Sequence, residues 1–267
     1  MKLNYTKAQF LRHTLAGIFT LSLVFFASLQ GPQIHNLYVA SKLEDNTVQL
    51  ITEDGRGGGT GFYVRFKGKT KMLTNAHVCG ASKKMHVIAP GDETDYKSVA
   101  KIPAVKVIKQ DVFKDLCMLE PFDKKIKGLA IADGVDKFDR SYTLGFPLGV
   151  KIFSKGLIQE TITQTKTFPN LAPEACPGFF VDIRKIKPQN EAHAMQLFMM
   201  LFQGVITLCD VDQELLVISN IINYGSSGSP VVDVFGNLIG VVTIAIGENA
   251  MAGGMVRRID FVDFLSD

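Results

Sequence analysis

Apolar and polar positions alternate along much of this chain with the two-residue period of strands that bury one face. Short runs of this kind cover residues 47–51, 62–66, 71–74, 85–89, 98–102 and 106–108, with turns rich in Gly, Pro, Lys and Asp between them. Longer apolar runs follow at 215–222, 230–234 and 238–246, the last two joined through the hairpin turn Phe235-Gly236-Asn237. Many short strands broken by turn residues predict an all-β barrel architecture. Residues 55–61 hold five glycines together with Arg56 and Thr60. Without a following helix or the lysine of a phosphate-binding loop, they read as a hairpin loop before the strand at 62–66.

Three stretches depart from the two-residue period. Residues 36–40 and 260–265 read as short helical pieces. In the third, Ala194, Leu197, Phe198, Leu201 and Phe202 recur at helical spacing, with Asn190 placed as an N-cap and Met195, Met199 and Met200 widening the apolar face. Such a face either packs on the β core or, being methionine-rich and adaptable, serves as a lid over a cleft.

The N-terminus has a different character. Lys2, Lys7 and Arg12 precede an apolar run over residues 14–29, the layout of a secretory signal or a membrane anchor. Residues 27–32 offer no clean pair of small side chains for cleavage, which favours a retained anchor. Either reading places the rest of the chain outside the cytoplasm, on a periplasmic or extracellular side. The predicted division is an anchor at 1–32 and one domain at 33–266. Hydrophobic residues make up 46% of the 267 and charged residues 21%, a balance that supports a sizeable core and excludes global disorder. The net charge of +3 is scattered, so nothing calls for a nucleic-acid partner. Four cysteines without C-x-x-C spacing and five dispersed histidines predict no metal and no cofactor.

The chemistry concentrates in three places. Asn223-Tyr224-Gly225-Ser226-Ser227-Gly228-Ser229-Pro230 puts a serine between glycines where the backbone can turn its N–H groups to one point. A serine hydroxyl needs a base to take its proton and donors to hold the resulting oxyanion. Leu73-Thr74-Asn75-Ala76-His77-Val78 offers the base, and Asp111-Val112-Phe113-Lys114-Asp115-Leu116 offers an acid to orient it. The order His77, Asp115, Ser227 is that of the chymotrypsin-type triad.

These three motifs resemble the trypsin-like serine peptidases, and most closely their HtrA (Deg) branch; Ser229 stands where that branch usually has glycine. Ser141-Tyr142-Thr143-Leu144-Gly145-Phe146-Pro147-Leu148-Gly149 is similar to the turn that follows the link between halves in that branch. The resemblance implies two six-stranded antiparallel β-barrels, the first at about 45–122 and the second at about 140–258, with a short C-terminal helix. It covers residues 39–264 except an insertion at about 163–213, and leaves no sequence for a PDZ domain. It implies an endopeptidase acting on protein or peptide substrates through His77, Asp115 and Ser227, with the Gly225 and Ser227 amides as oxyanion hole. The alternative is a non-catalytic binding module on the same scaffold. Asp111, by its match to the outer aspartate of the same family pattern, reads as a surface or turn residue outside the triad.

The same resemblance places a substrate pocket floored by Ile221, walled by Thr243, Ile244 and Ala245, with Gly254 opposite. It predicts cleavage after small to medium apolar residues. Ser226 occupies the position where zymogens of the trypsin type keep an aspartate, so control is expected from loops, ligands or assembly, a homo-oligomer among them. Export permits disulfides: Cys176 and Cys209 bracket one segment and form the candidate pair, whereas Cys79 and Cys117 read as small buried side chains beneath the site.

Overall fold

In the computed structural model the described residues are 33–89, 92, 99–123, 125–245, 254–258 and 261–266. The expected anchor at 1–32 lies outside them. Among the described residues, no helix is long and apolar enough to cross a membrane. Residues 33–44 form helix α1, which contains the expected helical piece at 36–40. Met1–Lys42 and Leu43–Asp267 are separate compact units. The strands of the described residues all belong to the second unit.

Six strands, β1 (Thr47–Thr52), β2 (Gly58–Phe66), β3 (Lys69–Thr74), β4 (Lys84–Ile88), β5 (Ala104–Asp111) and β6 (Leu116–Leu119), close into an antiparallel barrel in the order β1-β2-β3-β6-β5-β4. Its interior holds Val48, Leu50, Tyr63, Met72, Val87 and Leu119, all essentially inaccessible to water. Closure leaves no unpaired edge, which is how so many short strands avoid exposing backbone donors. Two expectations need correction here. Residues 99–101, read as strand, form a 3-10 turn. Of the glycine tract read as a loop, residues 55–57 do form the turn, but Gly58 to Gly61 are the start of β2, pairing Gly58 with Ile51 and Gly59 with Leu50. Glycine is needed there for close approach: a Cβ on Gly59 would lie 2.8 Å from the Ser227 carbonyl oxygen.

The second half is a seven-stranded sheet of β7 (Arg140–Gly145), β8 (Ile152–Pro169), β9 (Phe179–Asp182), β10 (Thr207–Ile218), β11 (Pro230–Val232), β12 (Leu238–Ala245) and β13 (Gly254–Arg258), in the order β13-β12-β11-β7-β8-β10-β9. An additional ladder pairs β13 with β10. Ile158, Leu216, Ile218, Val231, Ile239 and Val242 form its core. The expected six strands are thus accompanied by a seventh, β9, which comes from the insertion and pairs with the outer end of β10.

The insertion is continuous with the sheet. Strands β8 and β10 run antiparallel from Ile158–Ile218 out to Pro169–Leu208, forming a two-stranded arm. Helix α3 (Glu191–Phe202) follows, after the four-residue helix α2 (Ala76–Cys79) earlier in the chain. Asn190 caps α3 by accepting the His193 N–H at 2.8 Å, as the sequence predicts. Packing of α3 on the β core is not found, since none of its residues is buried and Met195, Phe198 and Phe202 are 61–78% exposed. A helical apolar period records that one face is apolar; it does not say which way that face points.

The last helix, α4 (Phe261–Ser266), buries Phe264 and Leu265. Its terminal carbonyls would be left without intrahelical partners. Three lysines of the first barrel meet that end: Lys71 donates to the Leu265 carbonyl, Lys109 to the Phe264 carbonyl at 3.4 Å, and Lys67 to the Ser266 hydroxyl at 3.5 Å. Cations at a helix C-terminus are favoured by its dipole.

Cys176 and Cys209 are joined in a disulfide at the outer part of the arm. Cys79 and Cys117, expected to be independent buried side chains, are joined as well, inside the first barrel core. The pairing follows from register: Thr74 lies opposite Cys117, and α2 carries Cys79 back over β6 just beyond that point. Replacing both Cys79 and Cys117 by alanine removes a cross-link across 38 residues. The expected loss is roughly 4 kcal/mol in denaturant unfolding of the oxidised protein. A loss under about 1 kcal/mol would mean that the bond does not constrain the unfolded chain.

Candidate active site

The ladder between β3 and β6 builds the first part of the site. Because Leu73 opposes Met118 and Thr74 opposes Cys117, the end of β3 and the start of β6 come side by side. His77, on α2 just past β3, therefore meets Asp115, just before β6. The imidazole Nδ1 lies 2.9 Å from Asp115 Oδ2 and 3.0 Å from Oδ1. The His77 main-chain N–H donates to Oδ1 at 3.0 Å, and the Asn75 amide donates to the Asp115 carbonyl at 3.0 Å. Asp115 has φ +51°, a left-handed conformation that aspartate tolerates better than most residues. Asp111 accepts the Lys114 N–H at 2.8 Å and so closes the preceding turn, the role expected of it.

Asp115 is 4% exposed. Burial pushes its carboxyl up, but the His77 hydrogen bond and charge, the Thr243 hydroxyl and the Lys166 ammonium outweigh burial and hold it below the usual carboxylate range. A depressed carboxyl contributes stability above its ordinary pKa, and that contribution is lost as pH falls through the folded-state value. Asp115 is therefore an anion throughout the neutral range. His77 is half exposed at its side chain and opens onto a cavity of about 540 Å³. Ser227, Gly225, Tyr224 and Ile222 line the same cavity.

Backbone contacts fix the serine turn from several directions. Gly225 (φ +91°) and Gly228 (φ +84°) take conformations that side chains rarely adopt. A Cβ would also strike Phe146 O at 2.6 Å in the first case and Thr60 O at 2.0 Å in the second. The Thr60 N–H donates to Ser227 O at 2.8 Å, and the Thr60 hydroxyl donates to Gly225 O at 2.9 Å. The Leu148 N–H donates to Tyr224 O at 2.8 Å. The carbonyl and N–H of one planar peptide point in opposite directions, so this bond aims the Gly225 N–H away from Leu148. Among the hydrogen bonds of the described residues, the N–H groups of Gly225 and Ser227 have no acceptor.

The pocket residues divide. Ile244 and Ala245 line the cavity, as does Thr243. Gly254 pairs in register with Ala245 at the end of β13. Ile221, expected as the floor, is 47% exposed and is not among the lining residues, whereas its neighbour Ile222, 2% exposed, lines the cavity. The chain turns one residue earlier than the count assumes. Asn220 is buried with its side chain bonded to Ser141 and Ser154, and the Ile221 N–H donates to Ser154 Oγ at 2.8 Å. Sequence reasoning also missed two partners of Asp115. Thr243, read only as a wall, donates its hydroxyl to Oδ2, and Lys166 Nζ lies 3.8 Å from the same oxygen. No local pattern marks either one, because each reaches Asp115 from a strand far away in sequence. Among the described residues, no group of three metal-ligating side chains occurs.

A model of the trypsin-like peptidase domain matches residues 59–241. The chain belongs to that family, the serine endopeptidases of this fold. No curated protein matches the sequence. Among solved structures, the active form of Rv3671c protease from M. tuberculosis is 21% identical, covers 88% of this chain and 86% of its own, and superposes with a TM-score of 0.62. The HtrA-type protease AlgW with a tripeptide is 18% identical over 86% of this chain and 62% of its own, TM-score 0.58. The serine endoprotease from Yersinia pestis is 15% identical over 86% of this chain and 65% of its own, TM-score 0.54. At these identities the likeness is one of fold.

Ser229, where the HtrA branch usually has glycine, is buried at 1% exposure. A Cβ on Gly145 would sit 2.1 Å from its hydroxyl. Gly145→Ala should therefore cost about 1–3 kcal/mol by overpacking. The same substitution in a Ser229→Gly background should cost less, with thermal unfolding as the measurement. Equal costs in both backgrounds would show that the two positions do not compete for one space.

Proposed function

We propose that this peptidase hydrolyses peptide bonds with a Ser227–His77–Asp115 triad through an acyl-enzyme. The observation that carries the reading is the buried Asp115 carboxylate on Nδ1 of a half-exposed histidine that shares one cavity with Ser227. His77 takes the Ser227 proton as the hydroxyl attacks the scissile carbonyl and returns it to the departing amine. Water then repeats the sequence on the acyl group. Asp115 holds the imidazole with its proton on Nδ1 and stabilises the charged form. The unengaged N–H groups of Gly225 and Ser227 receive the oxyanion, each such donor contributing roughly 3–4 kcal/mol to the rate.

Ile222, Ile244 and Ala245 make the pocket beside the serine apolar, and no acid is among the residues lining it. A lysine or arginine would bury an unpaired charge there, so residues such as Ala, Val or Leu are the substrates it favours. Residues 1–32 act as a signal or anchor that brings the domain to the outer side of a membrane, an environment in which both disulfides persist. The ladder of β10 with β13 supports reading the second half as the second barrel of the fold.

Ser227→Ala, His77→Ala and Asp115→Asn should each lower peptide hydrolysis by about a thousandfold or more with unfolding midpoints near that of the parent. Near-normal turnover by Ser227→Ala would end the assignment. In a peptide library, cleavage should follow small apolar residues, with neighbours separated by only about 1–3 kcal/mol. Dominant cleavage after Arg or Lys would overturn the pocket.

A further inference from the structure

In the arm, β8 alternates strictly in exposure from Thr161 to Phe168. Thr163, Thr165 and Thr167 are exposed, while Ile162, Gln164, Lys166 and Phe168 are partly buried. On the outer face, the Thr165 hydroxyl donates to Asp212 Oδ1 at 2.7 Å and the Thr167 hydroxyl to Asp210 Oδ1 at 2.6 Å. The arm's own carboxylates near this point are thus on the face opposite Lys166, whose cross-strand neighbour is Val211. On the inner face two side chains of the arm reach the turn that carries the acid. The Phe168 ring meets Phe113 edge-on with centroids 4.9 Å apart, and Lys166 Nζ lies 3.8 Å from Asp115 Oδ2. The spacing of two residues on the strand matches the spacing of two residues on the turn. A lysine side chain 28% exposed, held next to a carboxylate 5% exposed, is placed differently from a solvated surface pair.

We infer that Lys166 is a positioning residue of the histidine–aspartate pair: an ammonium delivered by the arm shares Asp115 Oδ2 with the imidazole and weakens the grip of Asp115 on a protonated His77. The inference rests on the triad proposed above. Asp115 meets the His77 ring and main-chain N–H from α2, the Thr243 hydroxyl from β12, Lys166 from β8, and the Asn75 amide at its own main-chain carbonyl. In its own turn, Asp111 is bonded to the Lys114 N–H. Among the described residues, the cationic partners within ion-pair distance of Asp115 are His77 and Lys166. The carboxylate favours an imidazolium at Nδ1; a second cation on the same oxygen offsets part of that attraction. The arm, an addition to the two-barrel pattern, thereby acts on the proton inventory of the site without entering the cavity.

The test follows the pH dependence of Ser227 labelling by a fluorophosphonate in the full-length protein, a readout independent of peptide specificity. Lys166→Met and Lys166→Gln should move the acid limb of the second-order labelling rate to higher pH. Below the limb, labelling should be about three- to tenfold slower than in the parent, as expected for loss of one partly screened charge. The alkaline plateau should stay within about twofold. Lys166→Arg should restore the limb, and Phe168→Ala should move it in the same direction by less. Lys185→Met, which removes a charge on an 84% exposed side chain of the same insertion, should leave it in place. Superimposable profiles for the parent and both neutral Lys166 variants would overturn the inference. So would a lowered plateau with an unmoved limb, or an equal shift from Lys185→Met. Persistent labelling of Ser227→Ala would instead remove the triad, and this inference with it.

Discussion

A single buried carboxylate organises this molecule. Asp115 is nearly inaccessible, yet it remains charged because donors from distant parts of the chain converge on its two oxygens. Burying a lone carboxylate is prohibitively costly, so each donor is a condition for the burial rather than an ornament of it. The condition reaches outward: α2 must start where β3 ends, β12 must present a hydroxyl, and the arm must fold down over residues 111–115. The two halves of the chain are tied to one point by electrostatics as well as by apolar contact.

The serine turn obeys a complementary constraint, one of space. Its carbonyls are taken up by Thr60 and Leu148 from two other segments, and the approach is so close that no side chain fits at Gly59, Gly225 or Gly228. The bond from Leu148 to the Tyr224 carbonyl turns the opposed Gly225 N–H away from Leu148. In the proposed mechanism the donors that receive the oxyanion, the Gly225 and Ser227 N–H groups, belong to this same turn. This arrangement needs no reorganisation when charge develops, which is what makes fixed dipoles effective.

How much the sequence reveals depends on the range of the forces involved. Strand period, turn chemistry and the cap at Asn190 are local, and the first barrel, the β11–β12 hairpin and the N-terminus of α3 were legible from them. The motifs around His77, Asp115 and Ser227 were legible because their residue types are rare in that combination. Contacts made across the fold were not. Nothing beside Thr243 or Lys166 announces that both share a carboxylate at the start of β6. Cys79 and Cys117 pair only because of the β3–β6 register. The cavity is lined by Ile222 and not by Ile221, beside a turn held by Asn220, Ser141 and Ser154. The glycine tract misled for a related reason: glycine usually signals a loop, but here it admits the Ser227 carbonyl to a strand.

The arm joins these arguments. After a register shift between Val217 and Ile218, its strands keep one antiparallel register from Glu160–Val217 out to Pro169–Leu208, so its direction is fixed by the sheet, and its inner face is fixed by the two-residue period. A one-residue slip of register would turn Lys166 and Phe168 outward and bring Thr165 and Thr167 onto the acid turn, replacing a cation and a ring by two hydroxyls. The outer-face pairs of Thr165 with Asp212 and Thr167 with Asp210 oppose that slip, since it would break both bonds. The polar face of the arm thus specifies the register that its other face uses. An extension that is peripheral by sequence is for this reason held in a defined position against the most sensitive charge in the protein.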